Sequence, residues 1–359
     1  VHLCPATDLC DDDGFGPLDD GIDTVDDGID LLGAGFDTVD LSSMDELQSV
    51  LSRVRAAGAV TDADAAAIRG QLDGAVLHTP TGLRLTVLHL AGEGLFMRKS
   101  GPNRRSVVAP ESVGMNDHGA ATSVHADQDV FGTPVRQLMD GRAPTLFRHD
   151  SPDGSHHDAS LMLVNLWIPL QQVTQPLVLA DGRSIDRRRH QLRLGLPTES
   201  FLDRDDDMAV NDIWTFLHDP GQRWYFRSRM DQRSAYVFDT LSTAHGAGVL
   251  SGEELAERCW LALQAAEAAS SAGDAAGLVG ALSDPELRRE PERATPPLRV
   301  AIAAMAALVD EALADPAAVC GSGSAEWVAR AAAARGAVVR MSLELRVVVS
   351  VEEAALGSR

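Results

Sequence analysis

The chain has 359 residues, 45% of them apolar and 23% charged, with 53 acidic against 31 basic side chains for a formal charge of -22. That length suits one large domain or two ordinary ones. No apolar run approaches the roughly twenty residues of a membrane-spanning helix, and the negative charge excludes a general binder of nucleic acid or anionic membrane, since a phosphate surface would repel it.

The first fifty residues hold 13 Asp, one Glu and no Lys or Arg, so 14 of the net negative charges lie there. Asp19-Asp20-Gly21-Ile22-Asp23 is echoed by Asp26-Asp27-Gly28-Ile29-Asp30. The EF-hand spacing with its closing Glu is absent, so residues 1–30 read as a solvated acidic arm. Leu47, Val50, Leu51 and Val54 fall at helical spacing before Gly58, a C-cap residue. A second short helix is expected from Thr61 through Leu72, and Leu83 to Leu88 reads as a strand.

From there to Leu241 only short strands are expected: Thr122 to Asp127, Leu161 to Leu170, Pro176 to Ala180, Ile213 to Leu217, Arg223 to Phe226 and Ala235 to Thr240. Gly, Pro and Asp clusters separate them, the pattern of a sandwich, barrel or jelly roll. The period then becomes helical. Ser251 and Glu254 form a capping-box pattern, Leu298, Ile302, Met305 and Val309 make an apolar stripe, and Ser324 to Arg335 is a further helix ended by Gly336. A final strand alternates Arg340, Ser342, Glu344 and Arg346 against Met341, Leu343, Leu345 and Val347.

Cys4, Cys10, Cys259 and Cys320 match no CxxC spacing, and no secretory signal pattern is visible, so a cytoplasmic location is expected. His125-Ala126-Asp127 places two metal-ligand types at i and i+2, on one face of a strand. With a distant His they would form a two-His-one-carboxylate triad. A second such run, His156-His157-Asp158, lies in a polar loop and is disfavoured. The third ligand is expected to be His245, in the turn after the strand ending at Leu241, with His218 as the weaker candidate.

In this order of segments the chain resembles the Fe(II)/2-oxoglutarate oxygenases related to gibberellin desaturase and the cephamycin methoxylation protein. Val124-His125-Ala126-Asp127 is similar to that family's VHxD, and Val164-Asn165-Leu166-Trp167-Ile168-Pro169 to its VNxWxP. Pro176 to Asp181 resembles PLxxxD, Arg223-Trp224-Tyr225-Phe226 with Met230 resembles RWYYFxxM, and Ala244-His245-Gly246-Ala247 resembles PHTA. The resemblance implies a double-stranded β-helix (a jelly-roll, cupin-like core) with Fe(II) on His125, Asp127 and His245. It also implies 2-oxoglutarate as cosubstrate, O2 as oxidant, and succinate and CO2 as products. The expected reaction oxidises an unactivated C–H bond of a small specialised metabolite or modified amino acid, by hydroxylation, desaturation or ring closure.

That family carries an RxSxExR pattern soon after the second His, whose Arg binds the cosubstrate. Here Arg258 has a plausible offset but sits in a helical stretch, whereas Arg340-Met341-Ser342-Leu343-Glu344-Leu345-Arg346 reproduces the pattern 95 residues later. Arg340 and Ser342 are therefore expected to bind 2-oxoglutarate, Arg because its planar fork matches a carboxylate. Residues 248–335 are then a helical insertion, a lid or a homodimer surface, in a core made of 31–247 and 336–352. Arg98, Arg148, Asn165, Trp167 and Trp214 are candidates for contact with a small-molecule substrate. A non-catalytic jelly-roll binding protein and a cupin-like metal-dependent hydrolase or isomerase are the competing readings.

Overall fold

A computed structural model describes residues 6–9, 29–91, 95–108, 114–116, 118–121, 123–127, 160–197 and 210–353. Two sheets of seven strands face each other. The first runs β1 (Thr7–Asp8), β11 (Trp224–Phe226), β8 (Leu177–Ala180), β13 (His245–Ala247), β6 (His125–Ala126), β10 (Val210–Phe216), β9 (Gln191–Pro197). The second runs β2 (Phe36–Asp40), β12 (Ser234–Asp239), β7 (Leu161–Gln171), β14 (Arg340–Glu353), β4 (Leu83–Leu90), β3 (Val76–His78), and β5 (Phe96–Ser100) pairs with the start of β14. Apart from the parallel pairing of β1 with β11, the ladders are antiparallel, and the sheets form a near-barrel of mixed α+β class.

The period-two alternation of β14 organises this core. Leu343, Leu345, Val347 and Val349 join Leu166 and Ile168 of β7 and Leu85 and Val87 of β4 on the outer face of the second sheet. Helices α1 (Asp45–Ala57) and α2 (Asp62–Leu72) cover that face with Leu47, Leu51, Val54, Ile68 and Leu72. Gly58, at φ 64, closes α1 in the left-handed conformation that favours glycine. Thr61 and Asp64 cap α2 reciprocally. Truncating Ile168, wholly buried under this layer, to alanine should cost about 2–5 kcal/mol, read as a lower urea midpoint.

Between the sheets Phe36, Trp167, Tyr236 and Phe238 of the second meet Leu177, Leu179 and Tyr225 of the first. They form an apolar plug between the sheets. Beside it Arg340, Ser342, Glu344 and Arg346 share one face of β14, and Arg98 is register-paired with Ser342.

Several sequence expectations shift. The sequence shows no pattern for β2, β3, β5 and β9; β1 pairs with β11 within the stretch read as a solvated acidic arm; His245 begins strand β13 where a turn is expected; and the Thr122–Asp127 strand is reduced to His125–Ala126, with Thr122 outside the described residues. Between β13 and β14 lie α4 (Glu253–Ser271), α5 (Ala275–Leu282), α6 (Pro296–Ala314), α7 (Pro316–Cys320) and α8 (Ser324–Ala337); α3 is the short Arg187–His190. Cys259, Leu263, Leu298, Ile302, Met305 and Trp327 give these helices their own core. The Ser251/Glu254 capping box does not form. Gly252 at φ 95 stands before α4 without a side-chain cap, and Glu253 accepts the Leu250 N–H at 2.9 Å. Gly336 lies inside α8; Gln171 Nε2 donates to its carbonyl at 2.7 Å and to Val339 O at 2.6 Å, satisfying the helix end from β7. Among the described residues no helix is long and apolar enough to cross a membrane.

Candidate metal and carboxylate site

Strands β6 and β13 pair so that His125 lies directly opposite His245. Facing side chains on one sheet face approach closely, and the imidazole centroids are 4.5 Å apart. Asp127, two residues after His125, turns to the same side: its Oδ1 is 3.2 Å from His125 Nε2 and 3.8 Å from His245 Nε2. The three candidate ligand atoms all lie within 4.8 Å of one another, and all three residues are buried.

Both imidazoles are oriented the same way. His125 Nδ1 is 2.9 Å from Ser123 O and His245 Nδ1 is 3.0 Å from Thr243 O. A carbonyl only accepts, so each Nδ1 carries the proton and each Nε2 keeps its lone pair for a metal. Burial first, then the neighbouring His125, lowers the pKa of His245 to about 4, so its ring is neutral at pH 7. Burial pushes the Asp127 carboxyl upward, but Arg346, then His245 and His125, outweigh it and hold Asp127 well below the usual range.

The second carboxylate oxygen of Asp127 is occupied. Asn165 Nδ2 donates to it, Asn165 Oδ1 accepts from Thr240 Oγ1 at 2.9 Å, and Arg346 Nη2 stands 3.6 Å away. This leaves Oδ1 directed at the two Nε2 atoms. Two imidazoles and one carboxylate suit Fe(II), and their clustering on one side leaves positions open for other ligands. Asn165→Ala should weaken Fe(II) binding by roughly 10–100-fold, the range for losing an outer-sphere partner, measured by anaerobic titration. Unchanged affinity would mean that Asn165 does not orient the carboxylate.

A small cavity next to the imidazoles is lined by His125, His245, Leu177, Arg98, Arg340 and Glu344. Arg340 is 2% exposed, its Nη1 donates to Gln175 O at 3.1 Å, and its guanidinium lies 5.9 Å from the Trp167 ring centre. Its Nε and the buried Ser342 Oγ have no hydrogen-bond partner among the described residues. Burial lowers the Arg340 pKa to about 10, against the pull of Glu344, so the guanidinium is charged at neutral pH. Orphaned buried donors are uncommon; here one belongs to the Arg340 guanidinium itself and the other to Ser342, two residues along β14. The charge and unsatisfied N–H of Arg340 and the hydroxyl of Ser342 match a carboxylate in chemistry.

Glu344 is not the ion-pair partner of Arg340. It accepts from Arg98 Nε at 2.7 Å, and Arg98 Nη1 donates to Gly119 O at 3.0 Å. Asn165 is committed to Asp127 and Thr240, and Trp167 is wholly buried in the apolar plug. Trp214 pairs with Ala126 while Thr215 pairs with His125, so Trp214 is on the sheet face opposite the imidazoles. His218 is exposed after β10, and Arg258 is half-exposed on α4, 3.7 Å from Glu254. Arg148 and His156 lie outside the described residues. Sequence reasoning gave no role to Arg346, Thr240, Gln175 or Glu253; Arg346 alone carried a signal, the two-residue period from Arg340.

The family described as "Oxidoreductase/YMDC permease-like domain" matches residues 97–251. No curated protein matches. Among solved structures, the chain is similar to the "iron and alpha-ketoglutarate-dependent endoperoxidase NvfI", with 14% identity over 89% of this chain and 80% of that one at a TM-score of 0.40. The same enzyme in a different conformation gives 14% identity over 90% and 81%, at 0.39.

Proposed function

We propose that the chain is a non-haem Fe(II)/2-oxoglutarate-dependent oxygenase that oxidises an unactivated C–H bond of a small molecule. The observation that carries this reading is a His-Asp-His set whose candidate ligand atoms lie within 4.8 Å of one another, together with a buried Arg340–Ser342 pair with unsatisfied donors, His125, His245 and Arg340 lining one small cavity. When bound, Fe(II) with 2-oxoglutarate and O2 supplies an oxidant able to take hydrogen from such a bond, with succinate and CO2 released. The remaining work belongs to the chain.

His125, Asp127 and His245 hold the metal from one side, and Asn165 with Arg346 keeps Asp127 ionised and turned toward it. Arg340 and Ser342 hold the distal carboxylate of the cosubstrate by charge-assisted hydrogen bonds. The Trp167–Tyr236–Phe238 plug, beside the Arg340 guanidinium, keeps water from the interior there. Arg98, fixed by Glu344 at the cavity wall, is the substrate-facing side chain, while Asn165 and Trp167 act on the ligands and the wall.

The path of the chain between the sheets (β5, β6, β7, β8, then β11, β12, β13, β14) supports reading them as a double-stranded β-helix, with 31–247 and 336–352 as the core and 248–335 as an inserted helical segment. A non-catalytic jelly-roll binder leaves the paired Nε2 atoms and the orphaned donors without a purpose. The test is uncoupled turnover: Fe(II)-loaded protein in air should convert 2-oxoglutarate to succinate without added substrate. No succinate above a metal-free control would contradict the proposal.

A further inference from the structure

Glu253, the first residue of α4, is wholly enclosed and takes no part in the metal set. Its Oε1 accepts the backbone N–H groups of Gln175 at 2.7 Å and Leu250 at 2.9 Å, and its Oε2 accepts that of Asn103 at 2.8 Å. The three donors belong to three connections: Asn103 follows β5, Gln175 lies between β7 and β8, and Leu250 follows β13. One carboxylate thus ties together the turns at the end of the barrel where β14 begins with Arg340.

Two of these turns are unusual. Asn103 (φ 53), its neighbour Arg104 (φ 65) and Gln175 (φ 47) are the non-glycine residues with positive φ among those described. Side chains rarely adopt this region, and it persists where the surroundings over-determine it. For Gln175 the surroundings are explicit. Its N–H is held by Glu253, its Nε2 donates to Gly101 O at 2.7 Å, and its Oε1 accepts from Ser100 Oγ at 2.9 Å. Ser100 is the β5 residue register-paired with Arg340. The product of this turn is the Gln175 carbonyl that receives Arg340 Nη1.

We infer that Glu253 is a positioning residue for the carboxylate-binding arginine: by gripping the Gln175 turn it sets where the Arg340 guanidinium points, and so the helical segment governs the preference for a 2-oxo dicarboxylate over a 2-oxo monocarboxylate. This rests on the assignment of Arg340 made above. Burial raises the Glu253 carboxyl above its ordinary value, and the three N–H groups and Arg340 offset only part of that shift. Without its grip the turn relaxes, Arg340 loses its carbonyl acceptor, and only the distal end of the cosubstrate is affected. The metal-chelating end is not.

The test compares 2-oxoglutarate with 2-oxovalerate, which has the same chain length and no distal carboxylate, as anaerobic Kd values on the full Fe(II)-loaded chain read from the charge-transfer absorption. Glu253→Gln keeps the shape but puts an N–H₂ against a backbone donor. It should lower the preference for 2-oxoglutarate about tenfold with the 2-oxovalerate Kd unchanged. Should that variant not fold, Glu253→Asp, which keeps the charge but withdraws it by one methylene, should lower the preference about threefold. A preference that is unchanged in the folded Glu253 variant but lost in Arg340→Ala overturns the positioning role alone. A preference unchanged in Arg340→Ala as well overturns the Arg340 assignment itself.

Discussion

Replacing His245 with alanine is expected to abolish stable Fe(II) binding, and with it any turnover of 2-oxoglutarate. His245 Nε2 and His125 Nε2 are brought together by one register pair, and Asp127 Oδ1 closes the set from the loop after β6. Removing one of three ligands leaves a two-point site, so the loss should exceed the roughly 10–100-fold typical of outer-sphere partners. Anaerobic Fe(II) titration against a competing chelator measures it, and far-ultraviolet circular dichroism reports whether the fold is kept. His218→Ala, altering an exposed imidazole after β10, should bind iron like the parent. Wild-type affinity in His245→Ala would remove His245 from the ligand set.

Arg340→Ala should weaken 2-oxoglutarate binding about a hundredfold while sparing Fe(II) affinity. Truncating one partner of a buried, hydrogen-bonded charge pair costs about 2–5 kcal/mol, and a hundredfold corresponds to about 2.7 kcal/mol. Arg340→Lys retains the charge without the planar fork and should fall between the two. Ser342→Ala, which removes one neutral donor, should cost about 1 kcal/mol, or roughly fivefold. Arg258→Ala is the control: half-exposed on α4 against Glu254, it should leave 2-oxoglutarate affinity unchanged. The reverse ranking of Arg258 and Arg340 would move the carboxylate site to the helical segment.

The parts of this site legible in the sequence are those written locally. His125 and Asp127 announce a shared face by their two-residue spacing, and Arg340, Ser342, Glu344 and Arg346 do the same on β14. The separation of helical and strand-like periods also located the stretch between β13 and β14 as helical. What stayed illegible depends on contacts between distant residues. The ring orientation of His125 and His245 comes from carbonyls two residues earlier, but their pairing comes from the β6–β13 register. Asn165 looked like a substrate contact because nothing local reveals that Asp127 and Thr240 consume its amide. Trp214 is adjacent in register to Ala126 rather than His125, and a one-residue offset sends the side chain to the other face. Ser251 and Glu254 spell a capping box, yet the buried carboxylate that holds the chain there is Glu253, because three turns converge on it. β2, β3, β5 and β9 are defined by the ladders they join rather than by a local pattern.

The central claim is that one cavity holds a metal on His125, Asp127 and His245 and a 2-oxo dicarboxylate on Arg340. Anaerobic addition of Fe(II) and then 2-oxoglutarate to the full chain tests it most directly. A visible metal-to-ligand charge-transfer band should appear on the second addition, saturate at one equivalent per chain, and require much more 2-oxoglutarate in Arg340→Ala. Iron-loaded protein that develops no such band at saturating 2-oxoglutarate would contradict the account.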